Sequence, residues 1–152
     1  MTLAEWCVFG AVALYLLTIV PIKWFSAQQY DNAKPRDPAF YQDAIRSRAL
    51  GAHQNGIETF AFFAIAVLLA EFRVAPQSRI DELAVLFLIV RTAYVLTYVG
   101  NRPRLRSILW NLGFIINIQH ISTTAATATA TSTTTVSATT SKGTFKQSVI
   151  FP

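Results

Sequence analysis

A carboxylate and a guanidinium stand against apolar stretches of this sequence where charge is costly. Glu58 lies in residues 46–70, RSRALGAHQNGIETFAFFAIAVLLA, whose first half holds Arg46, Arg48, His53, Gln54, Asn55 and Glu58 and which carries nothing polar after Thr59. Arg91 is the sole charge within residues 83–99. Arg91, Tyr94 and Tyr98 are spaced i, i+3, i+7 and so share one face of a helix, and Gly51, Asn55 and Glu58, with Gln54, share a face of the preceding one. Ionisable side chains in such surroundings turn inward and find a partner. Glu58 is the only carboxylate at a depth matching Arg91, so the two are expected to oppose each other. Two uses remain open on these residues alone. One is a buried ion pair that fixes the packing of two helices, with the tyrosines bonded to backbone; the other is the wall of a polar pocket. His53 falls on a different face from Glu58 and reads as a packing or interface histidine in preference to a proton carrier.

The elements that must position these residues are membrane helices. The chain has 152 residues, of which 14% are charged and 53% apolar, and its mean hydropathy is positive; a soluble domain carries about 25% charged residues. Residues 6–22 hold no charge, nor do 59–70. Segments near the spanning length of about 17–25 residues recur three or four times, which marks a polytopic membrane protein. The net charge of +5 is then explained by basic residues flanking the spans, and no nucleic-acid partner is expected. Cys7, the only cysteine, reads as a small buried hydrophobe.

The expected fold is an all-α, integral membrane four-helix bundle with helices over about 3–25, 41–72, 80–100 and 105 to 121 or beyond. The first stretch carries Glu5 and no basic residue before its apolar run, unlike a cleavable signal, and so reads as a first span. Pro21 falls in its last turn. Ser78 is the expected N-cap of the third helix, and Gly100, Asn101 and Pro103 its stop. Lys and Arg number none before Trp6, five over residues 23–48, two between helices two and three, and three over residues 102–106. The positive-inside rule therefore places the first and third connections in the cytoplasm and the N-terminus outside.

Three blocks, RSRALGAHQNGIETF, RTAYVLTY and NRPRLRSILW, taken in this order over roughly residues 3–116, resemble the membrane-associated proteins in eicosanoid and glutathione metabolism, the MAPEG family, and particularly its small bacterial members. The resemblance implies a homotrimer in a membrane of the bacterial inner-membrane type. It implies glutathione as co-substrate at the subunit interface near the cytoplasmic side, a lipophilic small molecule arriving through the lipid, and no metal. Carried over by motif, Asn55 and Glu58 contact the tripeptide from helix two, Arg91, Tyr94 and Tyr98 line the pocket from helix three, and Arg106 and Ser107 sit near the sulfur as the catalytic pair. A guanidinium or hydroxyl donor there would favour thiolate over thiol. The chain departs from the pattern at Gln54, where glutathione-active members commonly carry Arg, and at Gly51, where a second basic residue often stands; Arg48 is the basic residue one turn back that could serve instead. The implied activity is that of a glutathione transferase or peroxidase acting on lipophilic electrophiles. The alternative is a non-catalytic lipid-binding or scaffold protein of the same fold.

From Ser122 the character changes: nineteen of the twenty residues 122–141 are Thr, Ala or Ser. Residues 1–121 are expected to form the membrane domain and 122–152 a low-complexity tail, disordered in water. Thr and Ala are also tolerated in a membrane helix, so the fourth helix could run on into the repeat. A frame change near Asn117 and a surface stalk are the other readings of the tail.

Overall fold

A computed structural model describes residues 1–142, with side chains as far as Thr123. Four helices make up the chain: α1 Leu3–Phe25, α2 Ala44–Phe72, α3 Gln77–Val99 and α4 Pro103–Lys142, with a single 3₁₀ turn at Phe40–Gln42 before α2. No strand occurs among the described residues. Helices α1, α2 and α3 are each long and apolar enough to cross a membrane. Their outer faces present Phe9, Leu17, Ile57, Phe62, Leu68 and Ile89, an arrangement that suits lipid and is costly in water. α4 carries the backbone of residues 122–142 as helix, past the expected domain boundary at 121. Of the expected tail, residues 143–152 lie outside the described residues.

α2 and α3 form the central pair. Each touches the other three helices, whereas α1 and α4 lie on opposite flanks and share no contact among the described residues. Small residues bring the backbones together: Ala4, Ala11, Ala49, Ala52, Ala66, Ala70 and Ala84 are all at most 1% exposed, as close helix packing in a membrane requires. Gly56 carries this furthest, since a Cβ there would overlap the Tyr15 ring of α1. The α2–α3 crossing is sealed by Phe63 and Phe87, stacked with centroids 4.0 Å apart. His53 behaves as a packing residue, its Nδ1 2.9 Å from the Tyr15 carbonyl oxygen.

The helix ends show why the boundaries fall where they do. α2 starts at Ala44, three residues later than expected, because Asp43 is its N-cap: Oδ1 accepts from the Ile45 and Arg46 amides at 2.9 and 3.1 Å. Tyr41 belongs to the 3₁₀ turn. The expected N-cap at Ser78 is incorrect. α3 begins at Gln77 after Pro76, whose backbone sets the turn and whose carbonyl accepts from Arg79 and Ile80; proline is well suited to opening a helix. Asp81 is drawn away from its own helix start, and its Oδ1 accepts from the Ala4 amide at 2.9 Å. The Thr2 hydroxyl donates to Glu71 at 2.5 Å, so this end of the bundle clasps the positive N-terminus of α1 with carboxylates of α2 and α3. Val74, just beyond α2, has φ 54°, and Asn101, just beyond α3, φ 55°. Asn tolerates that left-handed backbone; β-branched Val does not adopt it readily.

Candidate functional site

At the opposite end of the bundle a cavity of about 510 Å³ opens between α2, α3 and α4, with Asn55 and Glu58 from α2, Tyr94 and Tyr98 from α3, and Arg106, Ser107, Trp110 and Asn111 from α4 on its walls. Six of the nine residues singled out in the sequence thus share one wall system. The helical periods explain this: 55 and 58, 94 and 98, and 107, 110 and 111 are i, i+3 or i, i+4 pairs. Trp110 and Asn111 also belong to this wall; their i+3 and i+4 spacing from Ser107, visible in the sequence, places them on the same face.

Arg91 lies immediately behind this wall at 1% exposure, the largest fully buried side chain among the described residues. Its Nη2 donates to Asn55 Oδ1 at 3.1 Å, and its guanidinium lies 4.3 Å from the centroid of the Tyr94 ring. The expected direct pair with Glu58 does not form. The salt bridges among the described residues join Met1 to Glu5, Arg46 to Asp43 and Arg79 to Glu82. Asn55 intervenes instead, accepting from Arg91 and turning its Nδ2 to Glu58 Oε2 at 3.5 Å. One amide therefore separates a buried cation from an exposed anion, and the cation's nearest electron-rich partners are a carbonyl oxygen and an aromatic face.

Arg106 is half-buried on the α4 side, its guanidinium 4.5 Å from the centroid of the Tyr98 ring. Tyr98 meets Tyr94 edge to face at 5.7 Å and lays its hydroxyl against Gly51, where any Cβ would overlap it. The Ser107 hydroxyl donates to the Pro103 carbonyl at 3.1 Å, and Asn111 Nδ2 donates to the Ser107 carbonyl at 2.8 Å.

Two of the sequence candidates stand elsewhere. Gln54 is exposed on α2 and outside the cavity lining. Arg48 is committed to the end of α3, its Nε donating to the Val99 carbonyl at 2.9 Å, a favourable use of a cation at a helix C-terminus. No group of three or more His, Cys, Asp or Glu side chains able to hold a metal occurs among the described residues.

Three helices long and apolar enough to cross a membrane, with a polar groove at one end of the bundle, mark an integral membrane protein. The sequence model of the MAPEG family matches residues 3–126, and the chain belongs to that family, which includes glutathione transferases, peroxidases and related membrane proteins. No curated protein and no solved structure matches the chain.

Proposed function

We propose that the groove binds glutathione and that the protein is a glutathione-dependent transferase or peroxidase acting on lipophilic electrophiles. The observation that carries this reading is the placement of Arg106 over Tyr98, at a cavity that also exposes Glu58 and Asn55. A volume of about 510 Å³ is in the range of small-molecule sites, about 300–1,000 Å³. Glu58 supplies an anion for the ligand's ammonium group, Asn55 and the tyrosines supply donors and acceptors, and Arg106 supplies a cation for the sulfur. The thiol gives its proton to solvent and the thiolate, held by the guanidinium, attacks the electrophile; a carbon–sulfur bond forms and the leaving group departs with its electron pair. Ser107 contributes its hydroxyl oxygen near the same point.

The same reading makes the protein a homotrimer. Glu58 and Gln54 are exposed on α2 of the single subunit, and polar groups on a spanning helix are stable when a neighbouring subunit or an aqueous cleft covers them. The distribution of Lys and Arg supports the first and third connections as cytoplasmic, so the groove faces the cytoplasm. Commitment of Arg48 to Val99 and the position of Gln54 outside the cavity favour, in turn, the second reading, a lipid-binding or scaffold protein that does not turn over.

Titration of the purified protein in detergent with glutathione separates the two. Saturable binding at millimolar concentration, with a thiolate absorbance in the ultraviolet, supports the enzyme; no saturable binding overturns it. Arg106→Ala is expected to abolish the thiolate signal and to lower kcat by about 10²–10³-fold, the usual cost of removing one preorganised charge-stabilising group.

A further inference from the structure

Beside Arg91, α2, α3 and α4 enclose a second, much smaller cavity of about 20 Å³, lined by Thr59, Phe87, Arg91, Gly113 and Asn117 among others. Two atoms of its polar lining residues have no hydrogen-bond partner among the described residues: the Nε–H donor of Arg91 and the Oδ1 acceptor of Asn117. Both side chains are more than nine-tenths buried, at 1% and 5% exposure. Leaving a buried donor and a buried acceptor unmade is among the costlier defects a core can carry, and more so where one belongs to a charge.

We infer that this cavity is a binding site for a single water molecule, which accepts from Arg91 Nε–H and donates to Asn117 Oδ1. The size fits, since a water needs about 10–15 Å³ of such space. The chemistry fits better still. Thr59, which also lines the cavity, gives its hydroxyl proton to the Asn55 carbonyl at 2.9 Å, leaving lone pairs on its oxygen. The lining residues Arg91, Asn117 and Thr59 therefore carry one free donor and two acceptors, the complement of a molecule that accepts once and donates twice. An anion would suit Arg91 and be repelled by both oxygens; an apolar occupant would satisfy none of the three. The water holds the guanidinium at Nε as Asn55 holds it at Nη2, and it extends the polar connection from Glu58 and Asn55 through Arg91 to α4. This inference does not depend on what the groove binds.

Gly113 provides the test. A Cβ at this position would sit 3.8 Å from Arg91 Cδ and Val90 Cγ1 and 3.9 Å from Phe87 Cε2, ordinary contacts, so Gly113→Ala enters the cavity without a clash. In a helix this change ordinarily stabilises. If it displaces a bound water, the melting temperature of the full chain in detergent falls. In an Asn117→Leu background, where the acceptor is gone, the same change should raise it. A rise in the parent chain, or an equal fall in both backgrounds, overturns the proposal. A high-resolution crystal structure gives the direct reading: density within hydrogen-bonding distance of both Arg91 Nε and Asn117 Oδ1 supports the site, and an empty cavity removes it.

Discussion

The hydroxyl of Tyr98 occupies the space that any side chain at Gly51 would need. This contact joins α2 to α3 beside the groove and holds the ring on which Arg106 rests. It also gives Gly51 a role of its own: with Tyr98 in this place, a larger side chain has no room. Gly51→Ala should therefore destabilise the protein by about 1–3 kcal/mol, as overpacking does, and weaken ligand binding by displacing Arg106. In a Tyr98→Ala background the stability cost should nearly vanish. A double-mutant cycle in thermal unfolding measures the coupling, and strict additivity would contradict the contact.

Asn55 and Glu58 should separate stability from binding. Asn55 is the acceptor for a fully buried guanidinium, so Asn55→Leu should cost about 1–3 kcal/mol of stability, the usual penalty for a charged donor left without its partner. Glu58 is exposed and meets Asn55 only at 3.5 Å. Glu58→Gln should leave the melting temperature nearly unchanged while weakening binding of a ligand that carries an ammonium group. Thermal unfolding and ligand titration of the two variants, side by side, check both halves.

A pH dependence should arise at the start of α2. The Arg46 amide, and after it the Ile45 amide and the nearby guanidinium groups, hold the Asp43 carboxyl below its ordinary value of 3.8 against a smaller opposing effect of desolvation. A group whose pKa is lower folded than unfolded stabilises the fold fully above the unfolded value and loses that contribution as pH falls through the folded one. Asp43→Asn keeps a capping oxygen without the titration. The stability difference between the parent and this variant should be constant above pH 3.8 and shift progressively against the parent below it, as read by helix content during acid titration.

Val74 offers the opposite kind of test, a change that should improve the protein. Its φ of 54° places a β-branched residue where L-amino acids meet a penalty of about 1–2 kcal/mol. Its amide donates to the Glu71 carbonyl at 2.9 Å and its side chain is 83% exposed, so little else depends on the valine. Val74→Asn should retain the turn and raise stability by about 1 kcal/mol, measured as an increase in melting temperature.

Much of this architecture could be read from residue order. Charge-free runs between basic connections defined the helices, because hydrocarbon tolerates little else, and the i, i+3, i+7 spacing of Arg91, Tyr94 and Tyr98 marked the inward face of α3. What escaped was decided between helices. Whether Arg91 meets Glu58 or Asn55 depends on an offset of less than one turn across the α2–α3 crossing, which is set by Phe63, Phe87 and the alanines and by no local pattern. Arg48 was identified as a spare cation, but the end of α3 claims it through the Val99 carbonyl. Gly51 shares the helix face of Asn55 and Glu58, but the space beside it is taken by Tyr98. Ser78 had the chemistry of a cap, yet Pro76 two residues earlier had already fixed the backbone.

The separation of α1 from α4 divides the labour of the chain. α1 is buckled to the far end of α2 and α3 through Thr2, Glu71 and Asp81, while α4 brings Arg106, Ser107 and Trp110 to the groove and, among the described residues, leans on α2 and α3 alone. Among the described residues, whatever disturbs the buckle reaches the α4 wall of the groove through the central pair. α2 and α3 are thus the keel of the molecule, and the two outer helices are planks that can be altered one at a time.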